Sequence, residues 1–121
     1  AELANYIQTI RLPYNLNTLS QVAAEAAFGD REFLRSTVEK NAAERVLWEQ
    51  TLDEVGGTYY KSGANFIFMS VPNAEGLADA WLAKGYQVRR GQRDNWLRVT
   101  LPTASDGAIM RSILKDYMAR Q

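Results

Sequence analysis

The chain predicts an α/β domain of the two-layer α+β kind: a small three- to four-stranded sheet covered by helices, one of them long. Three observations carry that expectation. Through the first 55 residues apolar side chains recur every three or four positions, the period of a helix face. The run from Ala64 to Val71 is continuously apolar and of strand length, as suits a buried strand. From Trp96 to Leu101, Leu97, Val99 and Leu101 alternate with Trp96, Arg98 and Thr100, the two-residue period of a strand with one buried face.

The elements follow in order. Leu3, Tyr6, Ile7 and Ile10 lie at helical spacing, so Glu2–Thr9 reads as a short helix, stopped by Pro13. Asn17 has the chemistry of an N-cap for an alanine-rich helix over Thr18–Phe28. Gly29 breaks that helix and Asp30 caps the next, a long one over Arg31–Val55. On it Phe33, Leu34, Val38, Ala42, Val46, Trp48, Leu52 and Val55 make one apolar stripe. Glu32, Arg35, Glu39, Lys40, Glu44, Arg45, Glu49 and Asp53 are read as its solvated face. Gly56-Gly57 ends it, and the Ala64–Val71 strand follows. Pro72-Asn73 turns the chain into a helix over Ala74–Lys84, closed by Gly85. Strands over Tyr86–Arg89 and Trp96–Leu101 flank the turn-like run Gly91–Asn95, and Pro102–Ser105 leads into a last helix, Asp106–Ala119. The predicted core is Val38, Leu52, Phe66, Ile67, Val88, Leu97 and Val99, with Trp48 and Trp81 on helical stripes that also need burial.

A length of 121 residues fits one domain with its own core. Fourteen basic residues balance 14 acidic ones, which argues against a nucleic-acid or anionic-membrane partner. No apolar run approaches the ~20 residues of a membrane span. Cysteine and histidine are both absent, so disulfides, thiolate nucleophiles, the usual zinc sites and histidine acid–base chemistry are excluded within this sequence. No metal site is expected. Nor is there a glycine-rich phosphate loop.

Two arginines stand out. The alternation puts Arg98 on the sheet face opposite Leu97, Val99 and Leu101, beside Trp96. Arg89 follows Val88 and so lies opposite it. If the two strands are neighbours, both guanidinium groups reach one space. A guanidinium is poor packing material but offers a planar, bidentate grip on carboxylate or phosphate. The competing reading leaves both arginines solvated or paired with acids. The lysines, Lys40, Lys61, Lys84 and Lys115, carry no signature of an apolar pocket that would depress a lysine pKa.

Four motifs in order add a family resemblance. Arg11-Leu12-Pro13-Tyr14-Asn15-Leu16-Asn17 with its alanine-rich helix, Ser62-Gly63-Ala64-Asn65-Phe66-Ile67, Gly85-Tyr86-Gln87-Val88-Arg89 and Leu97-Arg98-Val99-Thr100 together resemble the C-terminal part of histidinol-phosphate aminotransferases, within the fold-type I, pyridoxal-phosphate-dependent class I and II enzymes. The resemblance implies that residues 1–121 are the C-terminal small domain, beginning after the cofactor-lysine motif, with the large cofactor domain outside this sequence. It implies a role for Arg98 in gripping a substrate carboxylate and for Arg89 in contacting the substrate phosphate, with no catalytic or cofactor-binding residue in this segment. It implies transfer of an amino group between histidinol phosphate and 2-oxoglutarate, in histidine biosynthesis, by a cytoplasmic homodimer whose pyridoxal phosphate is held by the full-length enzyme, this segment alone being inactive. The small-molecule partners would be an amino acid or phosphorylated amine and a 2-oxo acid. Pro102 and Arg90 depart from the family pattern, which usually has glycine after the Leu-Arg-Val-Thr strand and an acidic or neutral residue after the Val-Arg strand. A threonine-phosphate decarboxylase, an aromatic aminotransferase and a non-catalytic anion-binding or structural module stay open as alternatives.

Overall fold

A computed structural model of the chain describes residues 2–10, 16–91 and 93–121. The chain divides into two compact units, Ala1–Arg35 and Ser36–Gln121.

The first unit is helical. α1 spans Glu2–Ile10 and α2 spans Thr18–Gly29. Asn17 caps α2 as expected, its side-chain oxygen accepting from the Ser20 amide at 2.8 Å, and Asp30 accepts from the Phe33 amide at 2.9 Å at the start of α3, Arg31–Glu54. Neither α1 nor α2 buries a residue, so the periodic Leu3, Tyr6, Ile7 and Ile10 are all exposed. Pro13 and the Arg11–Asn15 part of the first motif lie outside the described residues.

The second unit contains the sheet. β1 (Thr58–Tyr60), β2 (Phe66–Ser70), β3 (Arg89–Arg90) and β4 (Trp96–Thr100) are arranged β1-β2-β4-β3, every neighbouring pair antiparallel. α4 (Ala74–Leu82) and α5 (Ala104–Met118) complete it. Ile67, Met69, Leu97 and Val99 point from one sheet face into a core shared with Trp48 and Leu52 of α3, Leu77 and Trp81 of α4 and Leu114 of α5. Trp48 and Trp81 meet edge to face, centroids 5.9 Å apart at 71°. The Trp81 indole N–H donates to the Met110 carbonyl oxygen at 3.0 Å.

Several expectations need correction. Phe66 and Ile67 were both assigned to the core, but neighbouring strand residues face opposite ways: Ile67 is buried and Phe66 lies half-buried on the other face. Val88 is half-buried at the core margin. Val38 is exposed, as are Phe33, Leu34 and Val46. The inward stripe of α3 within this unit is Glu44, Trp48, Thr51 and Leu52, so polar residues occupy part of it. Glu44, expected on the solvated face, is buried and ion-paired with Arg111 of α5. The Arg45 guanidinium donates to the Ala64 carbonyl oxygen.

The remaining differences are at boundaries. β1 was not foreseen, because three residues are too few to display a period. α5 begins at Ala104 rather than Asp106, because Thr103 acts as its N-cap and accepts from the Asp106 amide at 3.3 Å. Pairing in β3 involves Arg89 and Arg90 rather than Tyr86–Arg89, since Tyr86 is spent on the end of α4, its amide donating to the Trp81 carbonyl at 2.9 Å. α3 ends before Gly56, whose φ of 71° favours glycine, as the Gly-Gly pair predicts.

Candidate functional site

The sheet face turned away from the core carries the site. Antiparallel register places Tyr60 beside Phe68, Phe68 beside Arg98, and Arg98 beside Arg89, so one row of side chains crosses all four strands. Arg89 and Arg98 are therefore direct cross-strand neighbours. Like charges in that relationship repel. Among the described residues the ion pairs are Arg90 with Glu75 and Asp79, Arg111 with Glu44, and Lys115 with Glu54. Neither Arg89 nor Arg98 has an acid partner in that set.

The sequence neighbours Arg89 and Arg90 have separated fates. Arg90 points to the core side of the edge strand and spans to α4, 3.1 Å from Glu75 Oε2 and 2.7 Å from Asp79 Oδ1. Its departure from the family pattern is thus absorbed by two α4 carboxylates. Arg89 stays with Arg98.

Two open clefts share the Arg89–Arg98 pair. One, of about 630 Å³, is lined by Tyr60, Phe68, Arg89, Arg90, Gly91, Arg93 and Arg98. The other, of about 370 Å³, is lined by Gln87, Val88, Arg89, Arg98 and Thr100. Among the described residues no carboxylate lines either one, in a chain whose net charge is zero. An anion placed at the pair is attracted by two guanidiniums at once, and the rest of a ligand has room on either side.

Aromatic rings back the arginines, and two of them, Tyr60 and Phe68, line the 630 Å³ cleft. The Arg98 guanidinium lies 4.1 Å from the Phe66 ring centroid, a cation–π contact that orients it. Tyr60, Phe68 and Trp96 stack on one another, with centroid separations of 4.7 Å for Phe68–Trp96 and 5.1 Å for Tyr60–Trp96. Trp96 had been placed with Arg98 from the alternation. Tyr60, Phe66 and Phe68 had not, although Phe66-Ile67-Phe68-Met69 alternates aromatic with aliphatic residues and carried the signal. Arg93 was also missed, because no periodicity reports where a turn residue points.

Lys40, Lys61, Lys84 and Lys115 are all exposed, and no lysine lines the arginine clefts. An amine that forms a Schiff base near neutral pH needs desolvation or a neighbouring cation to lose its proton. Among the described residues no cluster of His, Cys, Asp or Glu could hold a metal ion, and no helix is long and apolar enough to cross a membrane. Away from the clefts, burial and the neighbouring Asp106 raise the Tyr86 phenol above its usual pKa, and burial and Asp53 do the same to Tyr59.

The chain is similar to known proteins over nearly its full length. It is 48% identical over 119 residues to the histidinol-phosphate aminotransferase of Limosilactobacillus fermentum, covering 98% of this chain and 33% of that protein. The histidinol-phosphate aminotransferase of Lactiplantibacillus plantarum is 49% identical over 113 residues, or 93% and 32%. The chain thus spans about a third of the length of the curated relatives it matches. The fold matches the crystal structure of histidinol-phosphate aminotransferase from Clostridium acetobutylicum with a TM-score of 0.75 at 22% identity, over 99% of this chain and 39% of that one. The enzyme from Sinorhizobium meliloti, solved with pyridoxal-5'-phosphate, matches with a TM-score of 0.75 at 17% identity, over 98% and 35%. The sequence model of the aminotransferase class I and II family covers residues 1–113, and with that match the paired arginines have a family setting: the chain belongs to the class I and II aminotransferases.

Proposed function

We propose that this chain is the C-terminal small domain of a pyridoxal-phosphate-dependent histidinol-phosphate aminotransferase, and that Arg98 and Arg89 bind the anionic groups of its substrates. The observation that carries the reading is the cross-strand pairing of two arginines that lack acid partners among the described residues and open onto clefts free of carboxylates. A structural role would leave two like charges side by side, offset only by solvent and, at Arg98, by the Phe66 ring. A substrate anion offsets both. The relatives' names supply the reaction class, and the proposed substrates are histidinol phosphate and 2-oxoglutarate.

In this reading Arg98, steadied by Phe66, takes a carboxylate through its two-pronged donor edge, and Arg89 takes a phosphate. The amine that anchors the cofactor belongs to another part of the full-length protein, and no chemical step is assigned to residues of this segment. The dimeric, cytoplasmic state of the whole enzyme is part of the same proposal.

Kinetics of the full-length protein test it. Lysine cannot reproduce the guanidinium fork. Arg98→Lys should lower kcat/KM with glutamate more than Arg89→Lys does, by about tenfold or more for a lost charge-assisted contact of 1.5–3 kcal/mol. With histidinol phosphate, Arg89→Lys should matter at least as much as Arg98→Lys. Equal and small effects of both changes on both substrates would remove the assignment.

A further inference from the structure

Arg93 is a charged residue of the cleft that neither the family motifs nor the strand alternation account for. It lines the 630 Å³ cleft together with Arg89 and Arg98. It sits on the turn between β3 and β4, and its backbone is tied to the strand that carries Arg98. The Arg93 carbonyl accepts from the Trp96 amide at 3.2 Å, and the Gly91 amide donates to the Trp96 carbonyl at 2.7 Å. Asn95, at φ 63°, supplies the left-handed step that lets the turn close. Within the described ion pairs Arg93, like its two neighbours in the cleft, has no acid partner. The fourth arginine of the lining, Arg90, is already neutralised by Glu75 and Asp79. Three guanidiniums without an acid partner in that set therefore face one space.

Oxygen counting decides what three guanidiniums are for. A carboxylate has two oxygens, and a bidentate fork from one arginine with a second arginine alongside already serves both. A phosphate monoester dianion has three terminal oxygens in a tetrahedral array and twice the charge, so a third donor arriving from a different direction has an acceptor waiting. Arg89 and Arg98 approach from adjacent strands of the sheet, whereas Arg93 approaches from the turn beyond their ends.

We propose that Arg93 is a third substrate-binding residue, one that selects a phosphate-bearing substrate over a carboxylate-bearing one. The inference rests on the reading of Arg89 and Arg98 as the anion site and extends it to a residue that sets specificity.

The test uses the full-length, cofactor-saturated protein and two simple probes, inorganic phosphate and acetate, titrated by calorimetry against the unaltered protein, Arg93→Gln and Arg93→Lys. Arg93→Gln should weaken phosphate binding on the order of tenfold, the equivalent of one charge-assisted contact, and leave acetate binding within about twofold. Arg93→Lys, which keeps the charge, should recover part of the loss. In steady state the KM for histidinol phosphate should rise with Arg93→Gln while that for glutamate holds. Equal losses for both probes, a loss for acetate alone, or no loss for phosphate would each overturn the proposal. The probe titrations do not depend on turnover. Failure of histidinol phosphate as a substrate therefore counts against the proposed function, and failure of phosphate discrimination counts against Arg93.

Discussion

Glu44 of α3 and Arg111 of α5, 67 residues apart in sequence, form an ion pair inside the second unit, with side-chain exposures of 4% and 11%. Arg111 also lies 5.9 Å from the Trp48 ring centroid, and Gly107 on α5 leaves room for the Glu44 carboxylate. The pair fastens the long helix to the last one at the point where the inward stripe of α3 turns polar.

Breaking that pair on one side should cost more than removing it whole. Arg111→Met leaves a buried carboxylate without its cation and should destabilise the protein by about 3–5 kcal/mol. Adding Glu44→Gln or Glu44→Leu should restore part of the loss. Urea unfolding of both singles and the double variant reads the coupling; fully additive losses would mean the two groups do not act as a pair.

Trp48 and Trp81 offer an internal comparison. Both are fully buried, but only the Trp81 indole N–H has a hydrogen-bond acceptor, the Met110 carbonyl oxygen. Trp81→Phe loses ring area and that bond. Trp48→Phe loses ring area and an N–H that has no partner among the described residues. Trp81→Phe should therefore be the more damaging by about 1 kcal/mol, measured as the difference in unfolding free energy.

Alkaline stability should follow the two perturbed tyrosines. Burial, then the hydrogen bond and charge of Asp106, raise Tyr86 above its ordinary value of 10.0; burial and Asp53 raise Tyr59. A folded-state pKa above the unfolded one means that the protonated phenol favours the native state. That contribution is fully present below pH 10 and is lost as pH climbs from the unfolded value through the raised native one. Denaturant midpoints measured from pH 8 to 11 should fall at the alkaline end, and Tyr86→Phe and Tyr59→Phe together should flatten that fall. An unchanged slope in the double variant would place the alkaline loss elsewhere.

Gly91 should not tolerate a side chain. A Cβ built there meets the Trp96 carbonyl oxygen at 2.8 Å and the Trp96 Cβ at 2.9 Å, and the first of these is backbone that cannot swing aside. Gly91→Ala should cost about 1–3 kcal/mol by forcing the β3–β4 turn open. It should also weaken phosphate binding, because Arg89 immediately precedes the turn and Arg93 sits on it. Unaltered binding in a folded Gly91→Ala protein would show that the turn does not position them.

What was legible in the sequence divides along physical lines. Helices with caps were legible because Asn17 and Asp30 announce themselves chemically, and β4 was legible because Leu97 and Val99 against Arg98 leave one choice of face. The α3 stripe was misread because its inward positions include Glu44 and Thr51, and a hydrophobicity pattern cannot foresee that Arg111 will arrive to neutralise a buried carboxylate. Val38 and Val46, apolar yet exposed, drew the stripe to the wrong side. Of the site, the two arginines on strands could be aimed from alternation alone. Tyr60 and Arg93 could not, since one lies on a strand too short to have a period and the other on a turn.

The sheet ends on β3, two residues long, and both of them are arginines. An outer strand with unsatisfied backbone donors and acceptors is a template on which another polypeptide can add itself, and proteins block this with brevity and charge. Here an incoming strand would find almost no ladder to extend. Against an approaching copy of the same molecule Arg89 adds like-charge repulsion, whereas Arg90 is already held by Glu75 and Asp79. The short, arginine-bearing border is therefore a barrier to strand addition along β3.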